Sequence, residues 1–158
     1  MNRLKLYIET SAWNFLFAND APERKNITLR FFEDVRKGNY EMFISEMVIA
    51  EICDAPAKKR EMLLDVIDFA GPEELKINDE VRTLTDEYLE LRIIPDKYER
   101  DLIHIAVATV FEMDVLISWN LKHIVKMKTQ TMVNGVNAVH GYRKLEIVTP
   151  EEVLEIED

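Results

Sequence analysis

The segment Leu4-Lys5-Leu6-Tyr7-Ile8-Glu9 is a short run of β-forming residues that ends in a carboxylate. Its alternation of apolar and other side chains predicts a strand. Short apolar runs predict further strands at Met42-Phe43-Ile44 and Val115-Leu116-Ile117, and alternation returns at Leu145-Glu146-Ile147-Val148. A weaker candidate is Leu75-Lys76-Ile77. The sequence therefore predicts four to five strands.

The segments between these strands place apolar residues at helical spacing. They cover roughly residues 23–37, 46–53, 57–69, 79–91, 97–113 and, less regularly, 121–139. Ser45 is a predicted cap for the helix that begins at Glu46, and Asp96 with Glu99 forms a capping pattern before Leu102. Strands that alternate with helices predict an α/β fold. We expect a mainly parallel central sheet with helices on both faces and right-handed crossovers.

Length and composition limit the class of protein. The chain has 158 residues, 47% of them hydrophobic, which predicts a single domain over residues 1–158. The longest mainly apolar stretch, Leu102 to Phe111, is shorter than the roughly 18 residues that a membrane span needs. The amino terminus has no apolar leader region, so we expect a cytoplasmic protein. Cys53 lies in an apolar run and is expected to be a buried thiol.

The formal net charge of -10 excludes a protein that binds nucleic acid over its whole surface. The charge is unevenly distributed, however. Residues 115–145 contain no Asp or Glu, whereas Lys122, Lys126, Lys128, Arg143 and Lys144 all fall there. These residues are either ordinary solvated side chains or one face that contacts phosphates.

Polar residues follow two of the predicted strands directly. Glu9, with Thr10 and Ser11, comes after the first strand, and Asn120 follows the strand at 115–117. In parallel α/β sheets, ligands bind in the crevice beyond the carboxyl ends of the strands. We therefore expect a binding site there.

Two further carboxylates lie in apolar surroundings. Glu51 is enclosed in Met47-Val48-Ile49-Ala50-Glu51-Ile52-Cys53, and Asp101 opens the apolar run from Leu102. Carboxylates that converge in such a setting repel one another unless they are paired, protonated or bound to a metal. Oxygen ligands favour Mg²⁺ or Mn²⁺ over Zn²⁺, and the three histidines and the cysteine show no zinc spacing.

Each of these residues also has a structural explanation. Glu9 and Asn120 are acceptable turn residues, and Asn120 can cap a helix that begins near Leu121. Glu51 can pair with a lysine such as Lys58. Asp101 can favour the helix amino terminus through the backbone dipole, and His104 is typical of a satisfied core residue.

Four segments resemble the PIN-domain nucleases, including the VapC-type toxins of toxin–antitoxin pairs. The segments are Tyr7-Ile8-Glu9-Thr10-Ser11, residues 45–52 with Glu51, Asp101-Leu102-Ile103-His104-Ile105-Ala106-Val107-Ala108, and Leu116-Ile117-Ser118-Trp119-Asn120. The third is the most specific, because an Asp followed by a helix rich in small residues is a hallmark of that family. The resemblance runs over almost the whole chain.

The resemblance implies endonucleolytic cleavage of RNA with Mg²⁺ or Mn²⁺. By position, Glu9, Glu51 and Asp101 would be metal ligands, and Asn120 would stand in the place of a further acid. Glu9 replaces the usual Asp, and the neutral Asn120 makes a second ion less favourable. A homodimer and an antitoxin peptide are the partners implied.

Substrate contacts and rival functions complete these expectations. Thr10 and Ser11 are candidates to bind a water or phosphate oxygen, Lys122 and Lys126 to position the RNA backbone, and the two tryptophans to stack a base.

One alternative function is a PIN-fold binding module with weakened catalysis. Another is a structural partner protein whose acidic crevice receives an arginine from a second chain.

Overall fold

The computed structural model describes residues 3–157, with side-chain surroundings up to residue 154. Met1 and Asn2, which belong to the amino terminus considered above, and Asp158 lie outside this range. Within it, the sheet has five strands: Leu4–Ile8 (β1), Tyr40–Ser45 (β2), Glu73–Leu75 (β3), Val115–Ile117 (β4) and Glu146–Val148 (β5). The strand order is β3-β2-β1-β4-β5, and every neighbouring pair is parallel. The predicted α/β fold with a parallel central sheet is confirmed.

Helices connect the strands and surround the sheet. They are α1 (Thr10–Asn14), α2 (Pro22–Lys37), α3 (Glu46–Cys53), α4 (Ala57–Ala70), α5 (Asp79–Glu90), α6 (Glu99–Val110), α7 (Met127–Val139) and α8 (Pro150–Glu157). Short 3-10 helices occupy Phe15–Phe17 and Asp96–Tyr98. On one side α5 contacts both α6 and α7, while α2 packs on α8 and β2. Among the described helices, none combines the length and the apolar character that a membrane crossing requires.

The chain reverses its direction across the sheet between β3 and β4. From β1 it moves outward through β2 to β3, and then it returns past both to place β4 on the other side of β1. Right-handed crossovers in opposite directions put their helices on opposite faces of the sheet. The two connections therefore diverge beyond the carboxyl ends of β1 and β4, which opens a crevice there.

The core explains why β1 is central. Leu6, Tyr7 and Ile8 are at most 1% exposed, although Leu4 at the start of the same strand is 47% exposed. A strand buried on both faces needs apolar residues at consecutive positions, as this one has. The helix α6 is similarly apolar, with its residues from Leu102 to Thr109 mostly buried. The end of β1 and the start of α6 are thus held by the most enclosed part of the protein.

Two predicted helices begin later than expected. The helix predicted from residue 97 starts at Glu99, and Tyr98 precedes it in the cap position without a side-chain hydrogen bond, so the capping role predicted for Asp96 is wrong. Asp96 instead opens a 3-10 turn directly after Pro95, whose extended backbone cannot enter the helix. The helix predicted from residue 121 starts only at Met127. The predicted cap at Ser45 is confirmed, since its hydroxyl accepts a hydrogen bond from the Met47 amide over 3.1 Å.

Two helices were not predicted, and one residue is exposed against expectation. The helix α1 follows β1 after Glu9 alone, and α8 begins at Pro150. A proline in the first helical position after Thr149, whose hydroxyl accepts from the Glu152 amide, is a recognisable helix start. Cys53 is exposed, so the expectation of a buried thiol is wrong. It lies in the last turn of α3, where the helix leaves the core.

Candidate functional site

The crevice beyond β1 and β4 contains Glu9, the carboxylate that was predicted from a strand end. Glu9 continues the sheet by one residue, because its amide donates to the Ile117 carbonyl over 3.0 Å. Ser118 similarly extends β4 through a bond from its amide to the Val148 carbonyl. The backbone at the base of the crevice is therefore fixed by the ladder of the central strands.

Glu9 is only 4% exposed, and two serines hold its carboxylate. The Ser11 hydroxyl donates to Glu9 Oε1 over 2.5 Å, and the Ser118 hydroxyl donates to the same oxygen over 2.6 Å. Ser11 Oγ also accepts from the Trp119 amide over 2.8 Å, which links α1 to the segment after β4. Hydrogen bonds from neutral donors orient a carboxylate while leaving its charge uncompensated. The Oε2 atom faces His104 Nε2 at 4.0 Å.

Glu51 projects from α3 and bonds with His104 of α6. His104 Nε2 lies 2.6 Å from Glu51 Oε1, and the Thr10 hydroxyl donates to the same oxygen over 2.6 Å. Burial alone would raise the pKa of Glu51, but the hydrogen bond and the charge of His104, together with the hydrogen bond from Thr10, outweigh it and the pKa is lowered. Lys58, the partner considered from sequence, is replaced in this role by His104.

A chain of buried hydrogen bonds supports His104 from behind. His104 is fully buried, with Nδ1 2.6 Å from the Tyr7 hydroxyl, which in turn lies 2.7 Å from Ser45 Oγ. Burial opposes the protonated ring, but the bond to Glu51 and the charge of Glu9 raise the pKa of His104 above its ordinary value. The pKa of Tyr7 is raised well above its ordinary value, chiefly by burial, so its hydroxyl stays neutral. The prediction that His104 is a satisfied buried residue is confirmed.

Asp101 and Asn120, which are hydrogen-bonded to each other, complete the site. Asn120 Nδ2 donates to Asp101 Oδ2 over 3.3 Å, and Asn120 Oδ1 accepts from the His123 amide over 3.0 Å. Burial, followed by repulsion from Glu9, raises the pKa of Asp101 to about 6. Asn120 thus closes a turn with its oxygen and presents its N–H groups to Asp101. This turn, which also receives the Ile124 and Val125 amides on the Asn120 carbonyl, is the reason that α7 begins late.

The residues that meet most closely differ in part from those predicted. Ligand atoms of Glu9, Glu51 and His104 all lie within 4.8 Å of one another, and Asp101 is not part of that group. Asp101 nevertheless feels the charges of Glu9 and Glu51, since both contribute to its raised pKa. A divalent ion bound near two carboxylates would relieve this repulsion. The structure therefore brings Glu9 and Glu51 together, with Asp101 close enough to interact electrostatically.

The other predicted site residues fall into two places. Thr10 and Ser11 lie inside the site, where their hydroxyls donate to Glu51 and Glu9. Lys122 and Lys126 lie in the irregular segment after Asn120 and line a separate open cavity. The hydroxyls thus orient the acids, whereas the two lysines line a different cavity.

The two tryptophans pack mainly in the protein interior. Trp13 is fully buried and donates from Nε1 to the Ile8 carbonyl over 3.2 Å. Trp119 is 6% exposed, and its Nε1 donates to Thr28 Oγ1 over 2.8 Å. Both rings therefore pack in the core, which was the alternative to base stacking that the sequence left open.

Ser118 is a site residue that sequence reasoning missed. Its hydroxyl donates to Glu9 and accepts from the Asn120 amide over 2.9 Å. Its position, first after β4, was the available signal. His104 was considered only as a packing residue, although its spacing of three from Asp101 places both on one helix face.

Comparisons with known proteins address the fold. No protein-family model matches the chain, and no curated protein matches its sequence. Among solved structures, a chain of VapBC2 from Rickettsia felis bound to a DNA fragment from its promoter has a TM-score of 0.54 and 13% identity, covering 92% of this chain and 98% of that one. A chain of DNA-bound VapBC from Salmonella typhimurium has a TM-score of 0.52 and 16% identity, covering 93% and 98%. At such low identity the likeness concerns the fold alone, and the predicted PIN-like α/β fold, as found in these VapBC structures, is confirmed.

Proposed function

We propose that this protein is a divalent-metal-dependent endoribonuclease that hydrolyses RNA phosphodiester bonds. The observation that carries the proposal is the convergence of Glu9 and Glu51 beyond the carboxyl ends of β1 and β4, where burial and their charges raise the pKa of the nearby Asp101 to about 6. Paired acids at this edge of a parallel sheet are costly unless they serve a ligand.

The donor atoms fit Mg²⁺ or Mn²⁺. On Glu9 and Glu51 alike, the hydrogen bonds converge on Oε1, so Oε2 is the atom left for an ion. Asn120 bonds to Oδ2 of Asp101, which leaves Oδ1. Hard carboxylate oxygens completed by water are the usual environment of Mg²⁺. His104 Nε2 is engaged with Glu51, so we assign His104 to holding that carboxylate rather than to ligation.

The protein's own groups would prepare this site for hydrolysis. A bound divalent ion supplies Lewis acidity and lowers the pKa of water. The two serines fix Glu9, and the Tyr7–His104 chain fixes Glu51, so neither carboxylate must reorganise. Beside a bound cation Asp101 would be ionised, and as a carboxylate it would accept a proton from water.

Asn120 determines how many ions we assign. The sequence placed it where a further acid is usual, yet it contributes N–H groups toward Asp101 and uses its oxygen in a backbone turn. We therefore assign Asn120 to orienting Asp101, and we assign one ion to the site. This differs from the ligand role first expected for it.

Partners are assigned by the same reasoning. The similar structures are VapBC complexes bound to DNA, so we propose an antitoxin peptide as a partner of this protein. An arginine from that peptide would find two carboxylates in the crevice, and guanidinium binds carboxylates in a bidentate manner. A homodimer and a cytoplasmic location remain part of this proposal.

Cleavage assays with matched variants test the function. Purified protein is incubated with RNA and Mg²⁺ or Mn²⁺, and again with the Asp101→Asn variant. We expect a loss of about 100-fold or more in rate, since the variant removes both an acid and a proton acceptor. Asp68→Asn, an exposed position on α4, is the control with the same change of charge and should cleave normally. Equal rates for both variants would refute the assignment.

One observation favours a second function. His104, with its raised pKa, lies between Glu9 and Glu51 and can balance their charge without any metal. A PIN-fold module that binds RNA or protein but does not cleave would have this property. Calorimetry with Mn²⁺ distinguishes the two functions. Absence of binding at millimolar metal, together with retained RNA binding, would support the module.

A further inference from the structure

A second cavity with a different character opens beside the acidic crevice. Its volume is about 740 Å³. One wall is the loop between α5 and α6, and the other is the irregular segment that follows Asn120 and leads into α7. We call it the basic pocket, and its charged or titratable lining consists of Arg92, Lys97, Lys122, His123, Lys126 and Lys128, with Asp96.

The charge of the basic pocket is opposite to that of the whole protein. Within the described part of the chain, five permanent cations surround it and Asp96 is its one acid, although the chain carries a formal charge of -10. Among the side chains described up to residue 154, none of these five cations lies within ion-pair distance of an acid. Unpaired cations that converge on one cavity repel each other, so they favour an anion there.

The surroundings of His123 reflect this positive field. Its ring packs on the Tyr98 ring, with centroids 4.1 Å apart, and its Nε2 atom is buried without a hydrogen-bond partner in the described residues. The pKa of His123 is lowered, first by burial and then by Lys122, Lys126 and Lys97. Three of the pocket lysines, from two different segments of the chain, therefore lower the pKa of the same histidine.

Asn120 joins the basic pocket to the acidic crevice. Its side-chain Nδ2 donates to Asp101 on one side, and its side-chain Oδ1 accepts from the His123 backbone amide on the other. The pocket walls also flank this pair in sequence, with Lys97 before Asp101 and Lys122 after Asn120. An extended polyanion with one phosphate at the crevice would therefore continue directly over the pocket.

We propose that the basic pocket binds a backbone phosphate of single-stranded RNA next to the phosphate held at the acidic crevice. The identity of the ligand rests on the proposed function, whereas the anion site rests on the pocket alone. Single-stranded RNA fits better than an acidic protein surface, because its phosphates repeat along one chain and reach both sites. The pocket then fixes which phosphodiester bond lies at the acids.

RNA binding at several salt concentrations tests this site. Fluorescence anisotropy of a labelled single-stranded oligoribonucleotide is measured in EDTA, so that cleavage does not interfere. The pairs Lys122→Gln/Lys126→Gln and Arg92→Gln/Lys97→Gln are compared with Lys58→Gln/Lys59→Gln, an exposed pair on α4 with the same charge change. Each phosphate contact on a single strand contributes about 0.7 to the slope of log K against log salt. We expect each pocket pair to bind severalfold more weakly and to lower that slope by up to about 0.7, because the pocket holds one phosphate.

Further binding measurements identify the ligand of the basic pocket. Pocket variants that bind RNA like the Lys58/Lys59 control, or wild-type protein that binds no RNA, would overturn the proposal. Binding of orthophosphate without RNA, or of polyglutamate with the same dependence on the pocket, would also overturn it in favour of a free anion or an acidic protein.

The same variants separate this inference from the proposed function. If RNA binding depends on the pocket but the protein shows no metal-dependent cleavage, the proposed role of the pocket stands and the proposed nuclease function is wrong. If both pocket pairs cleave RNA as fast as the wild-type protein, the proposed role of the pocket is wrong and the proposed nuclease function stands.

Discussion

Replacing Tyr7 with phenylalanine isolates one hydroxyl in the buried chain behind Glu51. Tyr7 is fully buried, and its hydroxyl lies 2.6 Å from His104 Nδ1 and 2.7 Å from Ser45 Oγ. Phenylalanine occupies nearly the same space, so the packing of β1 is preserved. The variant therefore measures what the hydroxyl contributes to the free energy of unfolding.

The expected cost follows from the groups that lose their partner. Ser45 still accepts from the Met47 amide, so His104 Nδ1 is the atom left unsatisfied. A buried polar atom without a partner costs about 1–3 kcal/mol. In a chain of 158 residues each kcal/mol corresponds to roughly 2–4 °C, so the melting temperature should fall by roughly 2–12 °C.

Urea unfolding of the metal-free protein provides the measurement. The control is Tyr142→Phe, which removes a hydroxyl that donates to Glu80 over 2.7 Å at the surface. Water replaces that bond, so we expect a cost below about 1 kcal/mol. Both variants should keep the same dependence on urea, because neither changes the surface exposed on unfolding. If Tyr7→Phe costs no more than Tyr142→Phe, the hydrogen-bonded chain does not support the site as argued.

Three further predictions address other parts of the molecule. Asn120→Asp should tighten Mn²⁺ binding in calorimetry and lower the unfolding free energy of the metal-free protein by about 1 kcal/mol, because it adds a carboxylate beside Asp101. Gly71→Ala should destabilise by about 1 kcal/mol, since Gly71 has φ +68, whereas Gly135→Ala inside α7 should stabilise by up to about 1 kcal/mol. Beyond the local backbone, no atom of the described residues lies within 4 Å of either added methyl, so equal effects in thermal unfolding would contradict this. The pKa of His123, followed by NMR, should rise toward its ordinary value in Lys122→Gln, because a cation that disfavours the charged ring is removed. No change would contradict the positive field of the basic pocket.

The sheet and most helices could be predicted because their apolar residues repeat with clear periods. β1, α3 and β4 match the predicted bounds closely. The helix α1 escaped prediction because its five residues are too few to show a period, and because its conformation depends on the contact of Ser11 with the loop after β4. The late start of α7 depends likewise on Asn120, whose side chain accepts a backbone hydrogen bond that no periodicity records.

The candidate site could be located from sequence but not assembled. The rule for parallel sheets places Glu9 and Asn120 at one edge, and apolar neighbours single out Glu51. The partner of Glu51 is His104, which comes from another helix and is separated from it by 53 residues. Because side-chain geometry determines which atom of Asn120 faces Asp101, the sequence could not distinguish a ligand from an orienting donor.

The pairing of β1 with β4 has a consequence for how the chain is made. Ser118, whose hydroxyl holds Glu9, is synthesised 109 residues after it, so at about 5–20 residues per second a ribosome needs roughly 5–20 s to span the gap. During that interval β1 has one open edge, and Glu9 lacks one of its two donors. A nascent chain that ends before β4 therefore cannot close the crevice, which delays any activity of the site until the chain has been translated past Asn120.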